Sequence, residues 1–220
     1  MNIAIIGGGP AGLMAAEVAL AGGAQVALYD SMPSVGRKFL LAGKGGLNLT
    51  HSDPSDLFLS RYGGRRAQVA PWLAEFGPDA LRTWARGLGI DTYVGSSGRV
   101  FPTDMKAAPL LRAWLRRLRQ DGLTIYVRHR WCGWDEKKAL RFETPQGAAA
   151  VRADAVILAL GGGSWPQLGS DGAWVPVLAG RSIAIAPLRP ANCGFDVGWT
   201  EHFRSKFAGH PVKTVGVVAK

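Results

Sequence analysis

The sequence predicts an α/β fold built on a parallel sheet, and three observations support this prediction. An apolar run at residues 3–6 leads into a glycine-rich turn and a helical pattern. A second apolar run then ends at Asp30, and a third, residues 153–160, is interrupted only by Asp154. Continuous apolar strands are typical of parallel sheets that are covered on both faces. The strand, turn, helix and strand in this order predict a Rossmann-like domain with three layers.

The turn after the first strand has the glycine spacing of a dinucleotide-binding unit. Gly7 permits a tight turn, Gly9 lets the backbone approach a pyrophosphate, and Gly12 lets the helix pack closely on the strands. Pro10 and Ala11 belong to the same turn, and the phosphates would face the N-terminus of the following helix, whose free N–H groups and positive dipole end attract anions. We therefore predict a phosphate site at this turn. The alternative is a βαβ unit whose glycines serve only helix packing.

The acid at the end of the second strand predicts the position of a ribose. Asp30 follows Gly12 by 18 residues, close to the separation of about 20 residues at which a carboxylate accepts hydrogen bonds from ribose hydroxyls. An acid at this position favours an unphosphorylated ribose, as in FAD or NAD, and disfavours a 2′-phosphate. The glycines after the third apolar run, Gly161 and Gly162, predict a second close approach of the backbone to a ligand.

Composition narrows the class of protein. With 220 residues, 47% hydrophobic and 19% charged, the chain has enough material for one large folded domain, or for one domain and part of another. No apolar run reaches the roughly 18 residues that span a bilayer, and no charged segment precedes the first strand, so we expect a cytoplasmic protein without a membrane partner. Cys132 and Cys193 have neither C-x-x-C nor metal-ligand spacing.

The formal charge of +10 raises the question of a nucleic-acid partner. The densest basic cluster is arginine-rich and alternates with apolar residues at helical spacing between positions 110 and 119. This pattern is typical of the solvated face of an amphipathic helix. We therefore expect a small-molecule substrate and no nucleic acid, with an RNA surface as the alternative. The sequence carries no signal for an oligomeric state.

The middle of the chain predicts mixed local structure. Residues 31–48 contain five glycines or prolines and are interpreted as an ordered binding loop. A helical region is expected from about residue 54 to 88, followed by short strands at 91–94 and 99–101. The next helix begins near Thr103 or Asp104 and ends at Gly122. From there the period changes to that of β-structure, which predicts a meander over about residues 123–152.

The last residues predict a change of domain. Residues 1–188 form the Rossmann-like domain in this interpretation, and residues 189–220 open a β-rich domain with strands at 192–197 and 212–219. The chain stops at Lys220 directly after an apolar run. We therefore expect a polypeptide that is truncated at its C-terminus.

Four blocks of the sequence resemble the two-dinucleotide-binding-domain flavoproteins, and more narrowly the BaiN-like or aminoacetone oxidase-like family, also described as NAD(FAD)-utilising dehydrogenases. The blocks are residues 7–12 with Asp30, residues 36–48, residues 99–103 and residues 159–172. The second block is the most specific, because a simple Rossmann dehydrogenase has no need of it. The resemblance covers the whole chain.

The resemblance implies a bound FAD and a set of residues that hold it. Arg37 and Lys38 would hold the phosphate and flavin side together with the loop residues Gly43, Gly45, Gly46 and Asn48, and the meander near Trp131 would contact the adenine half. The alternative for Arg37 and Lys38 is a role as solvated loop charges. Most relatives carry Arg-Cys near the position of Gly46-Leu47, and this difference makes transfer of a substrate from relatives unsafe.

Family members are longer, with an inserted domain and a final segment that returns to the flavin. The resemblance thus implies that residues 189–220 open this insert. It also implies an FAD-dependent oxidoreductase, which either reduces an unsaturated or carbonyl substrate or oxidises a small amine. A second complete glycine fingerprint is missing, so NAD(P)H would either bind transiently as electron donor or not be used. The alternatives are a flavoprotein that modifies RNA and a non-catalytic nucleotide-binding fragment.

Catalytic residues are not identified by the sequence. The four histidines are scattered along the chain, and no Ser-His-Asp, paired-carboxylate or metal pattern is present. Only His51 and Lys44, which adjoin the second block, are candidates for a role near a flavin. The alternative for both is a place on the surface of a loop.

Overall fold

The computed structural model describes residues 1–190 and 197–210. The chain divides into two compact units, Met1–Pro187 and Leu188–Lys220. The larger unit contains all three sheets of the described residues. No helix in these residues is long and apolar enough to cross a membrane.

A four-stranded parallel sheet forms the middle layer of the larger unit, as predicted. Its strand order is β10-β1-β2-β6, with β1 at Asn2–Ile6, β2 at Gln25–Asp30, β6 at Thr124–Val127 and β10 at Ala155–Leu158. Ile5 on β1 pairs with Leu28 on β2 and with Ile157 on β10. Both neighbours of β1 are apolar at this position, because the centre of the sheet is covered on both faces.

Helices cover one face of this sheet. α1 (Pro10–Ala21) follows β1, and α6 (Ala107–Gln120) precedes β6. Leu13 of α1, Leu28 of β2 and Leu118 of α6 are fully buried in one hydrophobic cluster. The arginine-rich pattern thus belongs to an amphipathic helix, as the sequence indicated, and exposed Arg112, Arg116 and Arg119 lie outside its buried stripe.

An antiparallel meander covers the other face. It consists of β7 (Arg130–Trp134), β8 (Leu140–Thr144) and β9 (Gly147–Val151) in sequential order. Tyr29 from the parallel sheet stacks on Phe142 of β8 with 4.6 Å between ring centroids. The helices, parallel sheet and meander are the three layers of the predicted Rossmann-like fold.

The meander is shorter than the predicted range of residues 123–152. Residues 124–127 form β6, which pairs in parallel with β2, for example Ile125 with Leu28, and so belongs to the parallel sheet. The sequence prediction was wrong on this point because the side chains of a strand alternate with period two in either kind of sheet. Only the tertiary partner distinguishes the two.

The segment of residues 31–48, predicted as a loop, contains a short helix. α2 spans Arg37–Ala42 and continues into a 3-10 turn at Gly43–Gly45. Gly36 precedes it in the left-handed region, with φ +70°, and its N–H donates to the carbonyl oxygen of Gly8 at 2.8 Å. A side chain on Gly36 or Gly43 would collide with α6, so close packing on α6 fixes this helix.

The predicted helical region of residues 54–88 is divided into three helices. These are α3 (Ser55–Ser60), α4 (Arg66–Glu75) and α5 (Pro78–Gly87). Pro78 occupies the first turn of α5, where its missing N–H costs no hydrogen bond. A small antiparallel sheet adjoins them, formed by β3 (Thr50–His51), β4 (Thr92–Val94) and β5 (Arg99–Pro102). The helix that was predicted to begin near Thr103 begins at Ala107 as α6.

α7 (Trp174–Ala179) is the last helix of the larger unit. The described residues of the smaller unit contain α8 (Glu201–Phe207). The hydroxyl of Thr200 accepts the N–H of Phe203 at 3.3 Å and so caps α8. The strand predicted at 212–219, and all but the last residue of the one predicted at 192–197, lie outside the described residues. The assignment of residues 189–220 to an insert domain stays a prediction.

Replacing Leu118 with Ala tests the helix-on-sheet core. Leu118 is fully buried, and Leu-to-Ala changes at such sites lower the free energy of unfolding by about 2–5 kcal/mol. Urea denaturation of Leu118→Ala measures this loss. Leu57→Ala is the matched control, because the Leu57 side chain on α3 is 52% exposed; we expect its effect to stay within about 0.5 kcal/mol. Equal losses in both variants would contradict the assigned core.

Candidate functional site

A cavity of about 660 Å³ lies at the carboxyl edge of the parallel sheet. Its walls come from the turn after β1, the residues that follow β2, the start of α2, strand β7 and the loop between β10 and α7. Open α/β sheets bind ligands at this edge. The volume lies within the range of roughly 300–1,000 Å³ that small-molecule sites occupy.

Three glycines of the turn, Gly7, Gly9 and Gly12, have different roles, and two of them, Gly7 and Gly9, line the cavity. Gly7 has φ +109°, and a Cβ on it would collide with the carbonyl oxygen of Ala159. A Cβ on Gly12 would collide with the carbonyl oxygen of Gly7, so Gly12 serves the packing of α1 on the strands. Gly9 differs from both, because a Cβ on it would meet nothing within 4 Å. The space in front of Gly9 is open for a ligand.

The start of α1 presents unpaired backbone donors at the cavity. Gly9 is the N-cap residue, and no side chain caps the helix. The first N–H groups of an α-helix have no partner within the helix, and the dipole adds a partial positive charge there. Pro10 and Ala11 line the cavity at this point. Anionic groups are therefore favoured at the beginning of α1.

Asp30 is oriented by two backbone N–H groups. Gly8 donates to Oδ2 and Met32 donates to Oδ1, each at 2.7 Å. A carboxylate oxygen has two lone pairs, so each oxygen still has the capacity to accept a hydroxyl. Gly8 was not among the predicted site residues, yet a Cβ on it would collide with Val35 and approach Asp30 Oδ2 to 2.8 Å.

Three cationic side chains border the cavity. Arg37 Nη1 donates to Ser34 Oγ at 3.3 Å, and Lys38 Nζ donates to Ser164 Oγ at 2.7 Å. The third, Arg130, pairs with the carboxylate of Asp171 at 3.0 Å. The two cations at the start of α2 thus have neutral partners and keep their charge, whereas the charge of Arg130 is compensated.

Three polar atoms of residues that line the cavity are buried without a hydrogen-bond partner in the described residues. They are Nε of Arg37, Nε1 of Trp131 and Oγ of Ser170. Trp131 and Ser170 are 8% and 7% exposed. Buried polar groups are normally paired, so these atoms mark a region where a ligand or water would complete the hydrogen bonding.

Another part of the cavity wall is apolar, and one carboxylate holds two of its aromatic side chains in place. Glu17 of α1 accepts the indole N–H of Trp114 at 2.5 Å and that of Trp84 at 3.1 Å. Arg117 completes the cluster with a contact of 2.6 Å to Glu17. The two indoles pack edge to face with centroids 4.8 Å apart. This network fixes two large aromatic walls of the cavity.

The cavity contains most, but not all, of the predicted site residues. Ten line it: Gly7, Gly9, Pro10, Ala11, Asp30, Arg37, Lys38, Asn48, Trp131 and Gly161. Five do not: Gly12, Gly43, Gly45, Gly46 and Gly162. Among these, Gly46 has φ +115° and packs on Met105, and Gly43 packs on Ala107, so the structure gives both a packing role. Their assignment to a cofactor stays a prediction.

His51 and Lys44 do not line the cavity. His51 Nε2 lies 2.9 Å from the carbonyl oxygen of Ser97, and its Nδ1 lies 3.0 Å from Asp53 Oδ1. These contacts attach the turn between β4 and β5 to the segment after β3. In the described residues, His51 therefore has a structural environment.

Sequence reasoning assigned no role to several residues of the site. These residues are Arg130, Ser164, Ser170 and Asp171. Arg130 contacts Asp171, and Ser164 contacts Lys38, across distant segments, whereas Ser170 pairs through its backbone with nearby Trp165. Ser164, Ser170 and Asp171 belong to the block of residues 159–172 that carried part of the family resemblance, and this was the available signal. The contact between Lys38 and Ser164 joins positions 126 residues apart, and no local pattern reports it.

The glycine roles predict opposite effects of two Gly-to-Ala changes. The methyl group of Gly12→Ala would push α1 away from the backbone of Gly7, which should lower the free energy of unfolding by about 3 kcal/mol or more. Gly9→Ala should cost at most about 1 kcal/mol as a cap change, yet weaken ADP binding by about tenfold or more, because its methyl group fills the space in front of the turn. Urea denaturation and calorimetric titration measure the two effects. A stable Gly12→Ala protein would contradict the packing role.

The ion pair of Asp171 predicts a dependence of stability on pH. Burial raises the pKa of this carboxyl, but the N–H of Ala173 and the guanidinium of Arg130 lower it more, so the pKa lies below its ordinary value. The ionised form therefore stabilises the fold above about pH 4, the ordinary carboxyl pKa, and this contribution is lost as pH falls through the lower folded pKa.

Asp171→Asn should consequently have its largest destabilising effect near neutral pH and approach the unsubstituted protein in strong acid. Unfolding free energies measured in urea between about pH 6 and pH 2.5 test this, over the range in which carboxyls titrate. Arg130→Met is the reciprocal variant and should reduce the same dependence. A destabilisation that is equal at every pH would contradict the ion-pair explanation.

Comparison with known proteins agrees with this geometry. Residues 1–219 match the family described as HI0933-like protein Rossmann domain. The chain is 31% identical over 221 aligned positions to a 3-dehydro-bile acid Δ4,6-reductase of Clostridium scindens, covering 99% of this chain and 52% of the relative. The chain thus spans about half the length of this curated relative.

A solved structure shares the fold. The open conformation of a flavocytochrome c3 fumarate reductase superposes with a TM-score of 0.58 at 22% identity, over 73% of this chain and 33% of that one. At this identity the likeness supports the architecture only. The family match and the curated relative confirm the family resemblance found in the sequence, and this chain belongs to the HI0933-like Rossmann-domain family.

Proposed function

We propose that this chain is the FAD-binding part of an FAD-dependent oxidoreductase that acts on a small molecule. One observation carries the proposal. A glycine turn, the uncapped start of α1, the oriented carboxylate of Asp30 and the two cations at the start of α2 converge on a single cavity. These are the groups that a dinucleotide requires, in one place and with the correct charge.

The residues present fit the parts of FAD in turn. The α1 start, Arg37 and Lys38 supply donors and positive charge for a pyrophosphate. Asp30, held by the backbone, has free lone pairs for ribose hydroxyls. Trp131 and Ser170 supply unpaired polar atoms beside the cavity. FAD, when bound, supplies the hydride-transfer chemistry.

The protein contributes binding, orientation and charge. The Asp30 carboxylate favours an unphosphorylated ribose, because a 2′-phosphate would meet like charge there. Lys38 and Arg37 retain their charge and attract phosphate. The wall around Trp84 and Trp114 is apolar and rigid, which limits the access of water to that part of the cavity.

The name of the curated relative favours a reductase over an oxidase. That protein acts on a 3-dehydro-bile acid as a Δ4,6-reductase. For this chain we propose the coarser activity, reduction of an unsaturated small molecule, with NAD(P)H as a transient electron donor. Amine oxidation is the second direction that the sequence resemblance left open.

Absorbance of the purified chain tests the cofactor. After addition of FAD and removal of the excess, we expect the flavin band near about 450 nm to remain with the protein. Asp30→Ala should lose most of this band, because both the ribose contact and the orientation of Gly8 and Met32 depend on the carboxylate. Asp56→Ala is the matched control, since the Asp56 side chain on α3 is 93% exposed.

A colourless protein that stays colourless would contradict FAD binding by this chain. Loss of colour in both Asp variants would contradict the assigned role of Asp30. With the yellow protein in hand, anaerobic addition of NADH or NADPH should bleach the band if a nicotinamide is the donor. A band that both nicotinamides leave unchanged would contradict this donor.

A further inference from the structure

A hydrogen bond closes one side of the cavity between two distant segments. Lys38 Nζ, in the first turn of α2, donates to Ser164 Oγ in the loop after β10 at 2.7 Å. Both side chains lie at the surface, and Lys38 also lines the cavity. An exposed lysine normally samples many rotamers. The hydrogen bond to Ser164 therefore determines where the charge of Lys38 is concentrated.

The partner of Lys38 is neutral, as is that of Arg37, and this distinguishes the two from Arg130 and Arg117. Arg130 pairs with the carboxylate of Asp171, and Arg117 with that of Glu17. An ammonium group has three donors, of which the Ser164 hydroxyl accepts one. Among the described residues, Lys38 therefore has two further donors and a charge that no carboxylate compensates, and both are available to an anion.

Both partners are held by the glycine turn and the sheet. The N–H of Gly36, just before α2, donates to the carbonyl oxygen of Gly8 at 2.8 Å. On the other side, the N–H of Ala159 donates to the carbonyl oxygen of Ile6 at 2.8 Å, and Trp165 and Ser170 exchange two backbone hydrogen bonds of 3.1 Å. Ser164 lies between these two anchored points of its loop.

We propose that Ser164 is a positioning residue, whose hydroxyl holds the Lys38 ammonium at the mouth of the cavity for the phosphates of a bound dinucleotide. This inference rests on the proposed function. Ser164 acts through Lys38 and has no contact of its own with the ligand. A neutral acceptor suits this task, because a carboxylate at position 164 would cancel the charge that attracts the phosphates.

Calorimetric titration with ADP and with adenosine tests the proposal, because only ADP carries phosphates. Ser164→Ala should weaken ADP binding by about threefold to tenfold, which lies in the range that the net contribution of one ordinary hydrogen bond spans. Adenosine affinity should not change. Ser164→Thr keeps the hydroxyl and should restore ADP affinity to within about twofold.

Two further variants separate positioning from a general effect on the loop. Ser60→Ala removes a serine hydroxyl that donates to the carbonyl oxygen of Leu57 at 2.7 Å in α3, away from the cavity lining, and should leave ADP affinity unchanged. In the Lys38→Met background, Ser164→Ala should add no further loss, because its effect acts through the ammonium.

The outcomes distinguish this inference from the proposed function. If the unsubstituted chain binds no ADP, the nucleotide site and this inference both fall. ADP binding that Ser164→Ala leaves unchanged overturns the inference alone. A loss of adenosine affinity equal to the loss of ADP affinity in Ser164→Ala also overturns the inference. An equal loss of ADP affinity when Ser164→Ala is added to the Lys38→Met background overturns it as well. In both cases the loop would act through its structure and independently of the Lys38 charge.

Discussion

The site depends on the close approach of α1 to the strands at the glycine turn. Gly7 and Gly12 have no room for a Cβ, since the carbonyl oxygens of Ala159 and Gly7 occupy that space. This contact brings β1, β10 and the start of α1 together at one edge of the sheet. The donors of the helix start, the loop after β10 and the carboxylate at the end of β2 then surround the same cavity. A larger residue at either glycine would separate the elements that the cavity requires.

The cations around the cavity differ in whether a carboxylate compensates their positive charge. A buried or paired cation loses much of its attraction for a ligand, because a carboxylate partner compensates it. Arg130 and Arg117 are paired in this way and order the structure. Arg37 and Lys38 are held by serines, which fix side chains without removing charge. In the described residues, arginine is therefore paired with a carboxylate at positions 117 and 130 but with a neutral hydroxyl at position 37.

The fold class and the glycine turn at the cavity were predictable because their signals are local. The apolar runs of β1, β2 and β10 and the glycines between β1 and α1 lie within short, regular spacings. Asp30 follows at the distance that one βαβ unit imposes. Where regular spacing is absent, prediction was weaker. α2 has only six residues, too few for a helical period to be recognised.

By itself, the sequence determined the order of elements, the glycine turn and the acid at the end of β2, because adjacent residues encode them through backbone geometry and periodicity. The tertiary structure decided which sheet receives β6, since parallel and antiparallel strands share one alternation. It also decided the partners of Lys38 and Arg130. Ser164 and Asp171 lie 126 and 41 residues away from them, and contacts across such separations exist only after the chain has packed.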